Sequence, residues 1–215
     1  MKQISTLISW IFLPLFTPIY GLLIVLYFPS QADSFLASES LYMLHPDVKF
    51  LFVLLFLVFI VMAPGLSLVV LRLNKTISSL QMEDKEERLT PIAIMTFYCL
   101  VLYLFLMFQA ENANIPSIIK AMVVGGALAA LSSYFITKSF KISLHGMGMG
   151  ALFGFVYMFS ISLVQAPINM LITILMLGGL VMSARLFLKA HTLKEVGAGY
   201  LLGFASQVIC IYFYP

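Results

Sequence analysis

The sequence predicts an all-α, polytopic transmembrane helical bundle of about seven helices, six being the lower count, in one domain over residues 1–215. Three observations predict it. Hydrophobic residues make up 62% of the chain and charged residues 10%, with a mean hydropathy of +1.06, whereas soluble domains carry roughly 25% charged residues. Apolar runs of membrane-crossing length recur along the whole chain. The longest polar stretches, 30–47 and 73–90, are too short to bury a core of their own.

A helix needs about 18 or more apolar residues to cross some 30 Å of hydrocarbon, and seven stretches qualify: 8–29, 48–72, 91–109, 116–138, 146–164, 167–188 and 196–214. The first follows Met1 and Lys2 as a signal peptide would, but it is long and ends without a small-residue cleavage site. It is expected to remain as one helix running through Pro14 and Pro18. The second ends at Arg72. The third and fourth form a hairpin. The fifth opens just after Ser143, the sixth carries Arg185 about a turn from its end, and the seventh follows His191. Cys99 and Cys210 fall inside apolar segments, where thiols behave as small hydrophobes and give no disulfide framework.

Seven crossings put Lys2, Arg72, Lys75, Lys85, Arg88, Lys138, Lys141, Arg185, Lys189 and Lys194 on one side, leaving Lys49 and Lys120 opposite. The positive-inside rule makes the richer side cytoplasmic, so the expected location is a multi-pass protein of a bacterial inner membrane with its reactive face toward the cytoplasm. Setting aside Lys85, Arg88, Lys141 and Arg185 as cations with a chemical task shrinks the contrast from ten against two to six against two, still toward the same side. The formal charge of +3 is spread over loops, with no basic stripe carrying interleaved aromatics, so no nucleic-acid partner is expected. Membrane lipids are the surroundings. Gly146, Gly150 and Gly154, and again Gly199 and Gly203, recur at four-residue spacing, which reads as close helix packing.

The basic side also gathers the reactive groups. In "SARLFLKAHTLKE" (183–195), His191 and Glu195 are four apart and share a helix face, so the carboxylate can take the Nδ1 proton and leave Nε2 as a base or nucleophile. The same glutamate, three residues after Thr192, fits a capping box at the start of the seventh helix. Ser143 in "KISLHG" (141–146) either caps the fifth helix or joins His145 and the helix's unpaired N–H groups in holding an anion. The loop "QMEDKEERLTP" (81–91) supplies Lys85 and Arg88. The topology brings the three loops to one side, and three or four cations around two histidines describe a phosphate site.

These three segments resemble the signatures of the type 2 phosphatidic acid phosphatase (PAP2) superfamily, in outline over 72–205. Arg185, His191 and Glu195 match the third signature's arginine, histidine and acid in spacing, with glutamate for aspartate and Ala184 interposed after Ser183. Ser143 and His145 are similar to the serine and histidine of the second, and Arg88 to the arginine of the first, with Lys85 its lysine. The resemblance implies a haloperoxidase-like helical core. It also implies a metal-independent, cofactor-free hydrolase acting on a lipid phosphate or a prenyl or lipid diphosphate. In that scheme His191 is the nucleophile that becomes phosphohistidine, His145 the general acid and Glu195 the orienting carboxylate, while Arg185, Arg88, Lys85, Ser143 and Lys141 bind the phosphate.

Two other classes stand beside this reading. A transporter would place ionisable groups near the bilayer midplane, where the third, fifth and seventh helices have none. A catalytically inactive scaffold, or a lipid-phosphate-binding or transport protein of the same fold, would have no need of both histidines and the acid.

Overall fold

The computed structural model describes residues 1–31, 41–79, 86–110 and 115–214. Among these residues the chain is helical, with nine α-helices. Six helical rods, Pro46–Leu73, Glu86–Gln109, Ser117–Thr137, Leu144–Ile161, Ile168–Phe187 and Leu193–Phe213, are long and apolar enough to cross a membrane. The architecture is that of a multi-pass membrane protein.

The first apolar stretch departs from the expected single helix. It is split into α1 (Lys2–Ile11) and α2 (Thr17–Tyr27). Pro14 has no N–H to continue the ladder, and its ring collides with the carbonyl of the residue four before it. The chain turns there instead, with Phe16 N donating to Leu13 O and the Thr17 hydroxyl to Pro14 O, before Pro18 sits in the first turn of α2. The stretch still runs alongside α7: Thr17 lies against Gly148 near the start of α7, and Gln31 O accepts from Val164 N beyond the end of α7. Its polarity is inverted relative to a soluble helix. Ser5 and Ser9 of α1 are buried toward the protein, while Ile4, Leu7, Trp10 and Ile11 face out, as suits a helix whose solvent is lipid.

Helices α3 (Pro46–Phe56) and α4 (Ala63–Leu73) are joined without a break by a π-helical segment, Leu57–Met62. Pro64 accounts for it, because widening the ladder to i→i+5 moves the carbonyl that the proline ring would strike. Helix α5 (Leu89–Ala110) and α6 (Ser117–Thr137) pack side by side as the expected hairpin. Helix α8 (Ile168–Phe187) turns into α9 (Leu193–Phe213) through Lys189, whose φ of 53° is left-handed. That turn satisfies the end of α8: Ala190 N donates to Arg185 O and Lys189 N to Leu186 O.

The tightest interface joins α7 (Leu144–Ile161) to α9, and glycine makes it possible. A Cβ on Gly150 would run into the Tyr200 carbonyl, one on Gly203 into the Met147 carbonyl and one on Gly199 into the Ser143 carbonyl. With backbone against backbone, the separation of the two helices is fixed by main-chain atoms rather than by adjustable side chains. The seam ends in a hydrogen bond from Ser143 N to Glu195 O, 3.2 Å, which ties the two helix N-termini together.

Candidate active site

The two joined N-termini point the positive ends of both helix dipoles at the same rim, although the N–H groups of Ser143, Gly146, Thr192 and Glu195 are already paired. Ser143 caps α7: its hydroxyl oxygen accepts from Gly146 N at 3.3 Å, and the residue is fully buried. Of the two open readings of Ser143, the capping one is made in the structure. Its own O–H proton is not used by that bond.

His191 sits one residue before the N-cap Thr192 of α9. Its Nδ1 is 2.8 Å from Glu195 Oε2, and the two side chains are 2% and 16% exposed. A carboxylate only accepts, so Nδ1 carries the proton and Nε2 holds a lone pair. The capping box is present too. Thr192 Oγ1 accepts from Glu195 N, and the same Oε2 accepts from Thr192 N at 3.1 Å. The two readings of Glu195 are thus not alternatives: one oxygen caps the helix and orients the imidazole. Burial lowers the His191 pKa first of all, and the Arg88 and Arg185 guanidiniums lower it further, while Glu195 pulls the other way. The net direction is down, so the ring is neutral at neutral pH.

Two guanidiniums reach this histidine. Arg88 closes the 3-10 turn Glu86–Arg88 ahead of α5, is 5% exposed, and donates from Nη1 to Ile142 O at 3.3 Å, next to the Ser143 cap. Arg185 lies in the last turn of α8, and its buried Nε has no hydrogen-bond partner among the described residues. The two arginines act electrostatically on each other, on both histidines and, for Arg88, on Glu195. Among the described residues these two like charges stand near one carboxylate, Glu195, which is itself bonded to His191.

His145, in the first turn of α7, is half-buried on the same rim. Its Nε2 is 3.0 Å from the Ser9 carbonyl of α1. A carbonyl cannot donate, so Nε2 is the protonated nitrogen and α1 holds the ring in place. Sequence reasoning missed Ser9, because the bond uses a main-chain oxygen 136 positions away and no side-chain pattern advertises it.

The remaining expected residues divide. Lys141 is half-buried two positions before Ser143, with no hydrogen bond or ion pair to the arginines or histidines among the described residues. Lys85 lies outside the described residues. The structure therefore brings together His191, Glu195, His145, Ser143, Arg88 and Arg185. Among the described residues no group of three or more His, Cys, Asp or Glu side chains is placed to hold a metal ion.

Comparison of the chain with family models, with curated proteins and with solved structures finds no match in any of the three.

Proposed function

We propose that this protein is a membrane phosphatase that removes phosphate from a lipid phosphate, or from a prenyl or lipid diphosphate, through a phosphohistidine intermediate, without a metal. One observation carries the reading. A buried histidine has its Nδ1 proton held by a carboxylate and stands beside one buried and one half-buried arginine where two helix N-termini meet. The likeness of these residues to the PAP2 signatures supports the same chemistry.

In the proposed sequence the His191 Nε2 lone pair attacks phosphorus while the P–O bond to the leaving oxygen breaks. Glu195 stabilises the positive charge that appears on the ring. Arg88, Arg185 and the helix N–H groups hold the equatorial oxygens, where negative charge accumulates. His145, once its ring carries a second proton on Nδ1, gives that proton to the departing oxygen and, neutral again, takes one from the water that displaces His191 from phosphorus. The apolar flanks of the rim keep the hydrocarbon part of the substrate in the bilayer while its phosphate reaches headgroup level.

Phosphate release from a panel of lipid phosphates and diphosphates by purified protein in EDTA tests the reading. Wild type is expected to release phosphate and His191→Ala to lose it by about 10³-fold or more, as for removal of a nucleophile. Wild-type turnover in His191→Ala would end the mechanism.

One observation favours a second reading, a lipid-phosphate-binding protein or scaffold without turnover. The His145 Nε2 proton is already engaged by Ser9, which withholds it from a leaving group unless α1 shifts. Tight binding of a lipid phosphonate, with no release from any ester, selects that reading.

A further inference from the structure

Arg88 enters the site from a short 3-10 turn, Glu86–Arg88, at the start of α5. An arginine has a long side chain with much rotamer freedom to lose, and helix ends fray. A buried arginine in such a place stays put only if the backbone beneath it is held. Its bond to Ile142 O at 3.3 Å fixes the tip. The residue before it holds the base.

Both oxygens of the Glu87 carboxylate are spent on one residue, nine positions earlier: Oε1 accepts from Ser78 N at 2.8 Å and Oε2 from the Ser78 hydroxyl at 2.9 Å. Ser78 is fixed from its other side as well, since its carbonyl accepts from Nη1 of Arg72 in the last turn of α4. The chain reaches Ser78 through a left-handed turn at Lys75, φ 58°, in which Thr76 N donates to Leu71 O at 2.9 Å. Ile77, next to Ser78, is fully buried. Arg72, Ser78 and Glu87 thus tie the end of α4 to the turn that carries Arg88.

A carboxylate that gives both oxygens to the N–H and O–H of one residue holds it in one orientation, as a bidentate pair does. Glu87 is half-buried, whereas Glu86, the adjacent acid of the same charge run, is exposed. The two neighbouring side chains of the turn reach opposite partners, Glu87 back to the end of α4 and Arg88 across to the residue before the α7 cap. An acid at a helix start also suits the helix dipole, but that service to the fold needs neither Ser78 nor Arg88.

We infer that Glu87 is a positioning residue for the site: its grip on Ser78 fixes the turn from which Arg88 reaches the Ile142 carbonyl, and so fixes where the phosphate-binding guanidinium stands. Glu87 touches neither phosphorus nor substrate and acts through Arg88. The inference rests on the phosphatase reading for the phosphate, and on geometry alone for the placement of Arg88.

The test reads the place of Arg88 from His191, because a nearby guanidinium disfavours the charged ring. The His191 ring is titrated by NMR in the full chain carrying labelled histidine. Glu87→Ala is expected to raise its proton affinity roughly three- to tenfold as Arg88 leaves its place, whereas loss of the Glu87 negative charge by itself moves the affinity the other way. Glu87→Gln, whose amide can still accept from Ser78 N and donate to Ser78 Oγ, is expected to titrate close to wild type. In an Arg88→Met background Glu87→Ala is expected to add nothing. An unmoved or lowered affinity in Glu87→Ala, or the same rise without Arg88, overturns the inference. If Glu87→Ala does not fold, Ser78→Ala carries the same test, since it removes only the hydroxyl half of the grip; a smaller rise is expected, and no rise overturns the inference.

Phosphate release from a lipid phosphate separates this inference from the phosphatase reading. With both correct, Glu87→Ala raises KM and lowers kcat/KM by about tenfold, and the double variant falls no further than Arg88→Met. If the titration shifts as expected while wild type releases no phosphate, the phosphatase reading fails and the placement of Arg88 by Glu87 stands. If release falls in Glu87→Ala while the titration stays still, the placement fails and the phosphatase reading stands.

Discussion

Among the described residues the protein holds two histidine–carboxylate pairs, one at each rim, and they differ in nearly everything but chemistry. His45 and Asp47 face each other at 3.3 Å with side chains 71% and 91% exposed. His191 and Glu195 meet at 2.8 Å with 2% and 16%. At the first rim the histidine caps α3, accepting from Asp47 N through Nδ1, and the neighbouring cation, Lys49, is spent on structure: it donates to Tyr42 O and lies against the rings of Tyr27 and Tyr42. At the second, the carboxylate caps the helix instead, which frees the histidine from that duty, and the neighbouring cations are arginines at a shared rim. A histidine beside an acid is common. A histidine relieved of capping, buried, and backed by positive charge is what the proposed chemistry requires.

The comparison can be broken most severely at Glu195. Replacement by Gln keeps a side chain able to complete the capping box but removes the charge that steadies the imidazolium. Phosphate release is expected to fall by about 10² to 10⁴-fold, with a thermal midpoint close to wild type. An equally large loss of stability would mean that Glu195 serves the fold alone.

At the seam, Gly203→Ala drives a methyl into the Met147 carbonyl, and overpacking of this kind costs about 1–3 kcal/mol or more. The expected outcome is a lower unfolding midpoint together with lost activity, because the seam sets the spacing of His145 and His191. An unchanged midpoint would show that α7 and α9 can part without consequence.

The pH profile sharpens the contrast between the two histidines. His191 is held below the ordinary imidazole value of about 6.5, so the acid limb of kcat/KM is expected below that value, the rate dropping where the ring gains its proton. The linkage has the same sign. The unfolded chain takes up this proton near 6.5 and the folded chain only at lower pH, so stability declines as pH falls below 6.5. An acid limb above 7 would assign it to another group.

The smallest effect belongs to the opposite rim. Asp47→Ala breaks an exposed pair, for which about 0–1 kcal/mol is usual, and activity is expected to stay at wild-type level in the phosphate-release assay. A marked loss there would mean that the two rims communicate.

Much of this was legible in the chain. Six of the seven apolar stretches are helical rods at nearly the expected bounds, because length and hydropathy suffice for a segment whose solvent is lipid. The spacing of Arg185, His191 and Glu195 gave the face and the pairing, since both are local to one turn and one helix start. Two features escaped. The break at residues 12–16 was hidden by hydropathy that runs through it unchanged, although Pro14 and Pro18 stood in plain view. Ser9 on His145 arises from a contact between distant segments, and no periodicity encodes that.

Helix α1 turns this hidden contact into a signal. Ser9, whose carbonyl holds His145, is followed at once by Trp10, the only tryptophan in the chain, which is about half exposed on the outward face. Any movement that releases the imidazole carries the molecule's one indole with it. Intrinsic fluorescence is therefore a label-free reporter of whether this histidine is held or released, already installed beside the group it reports on.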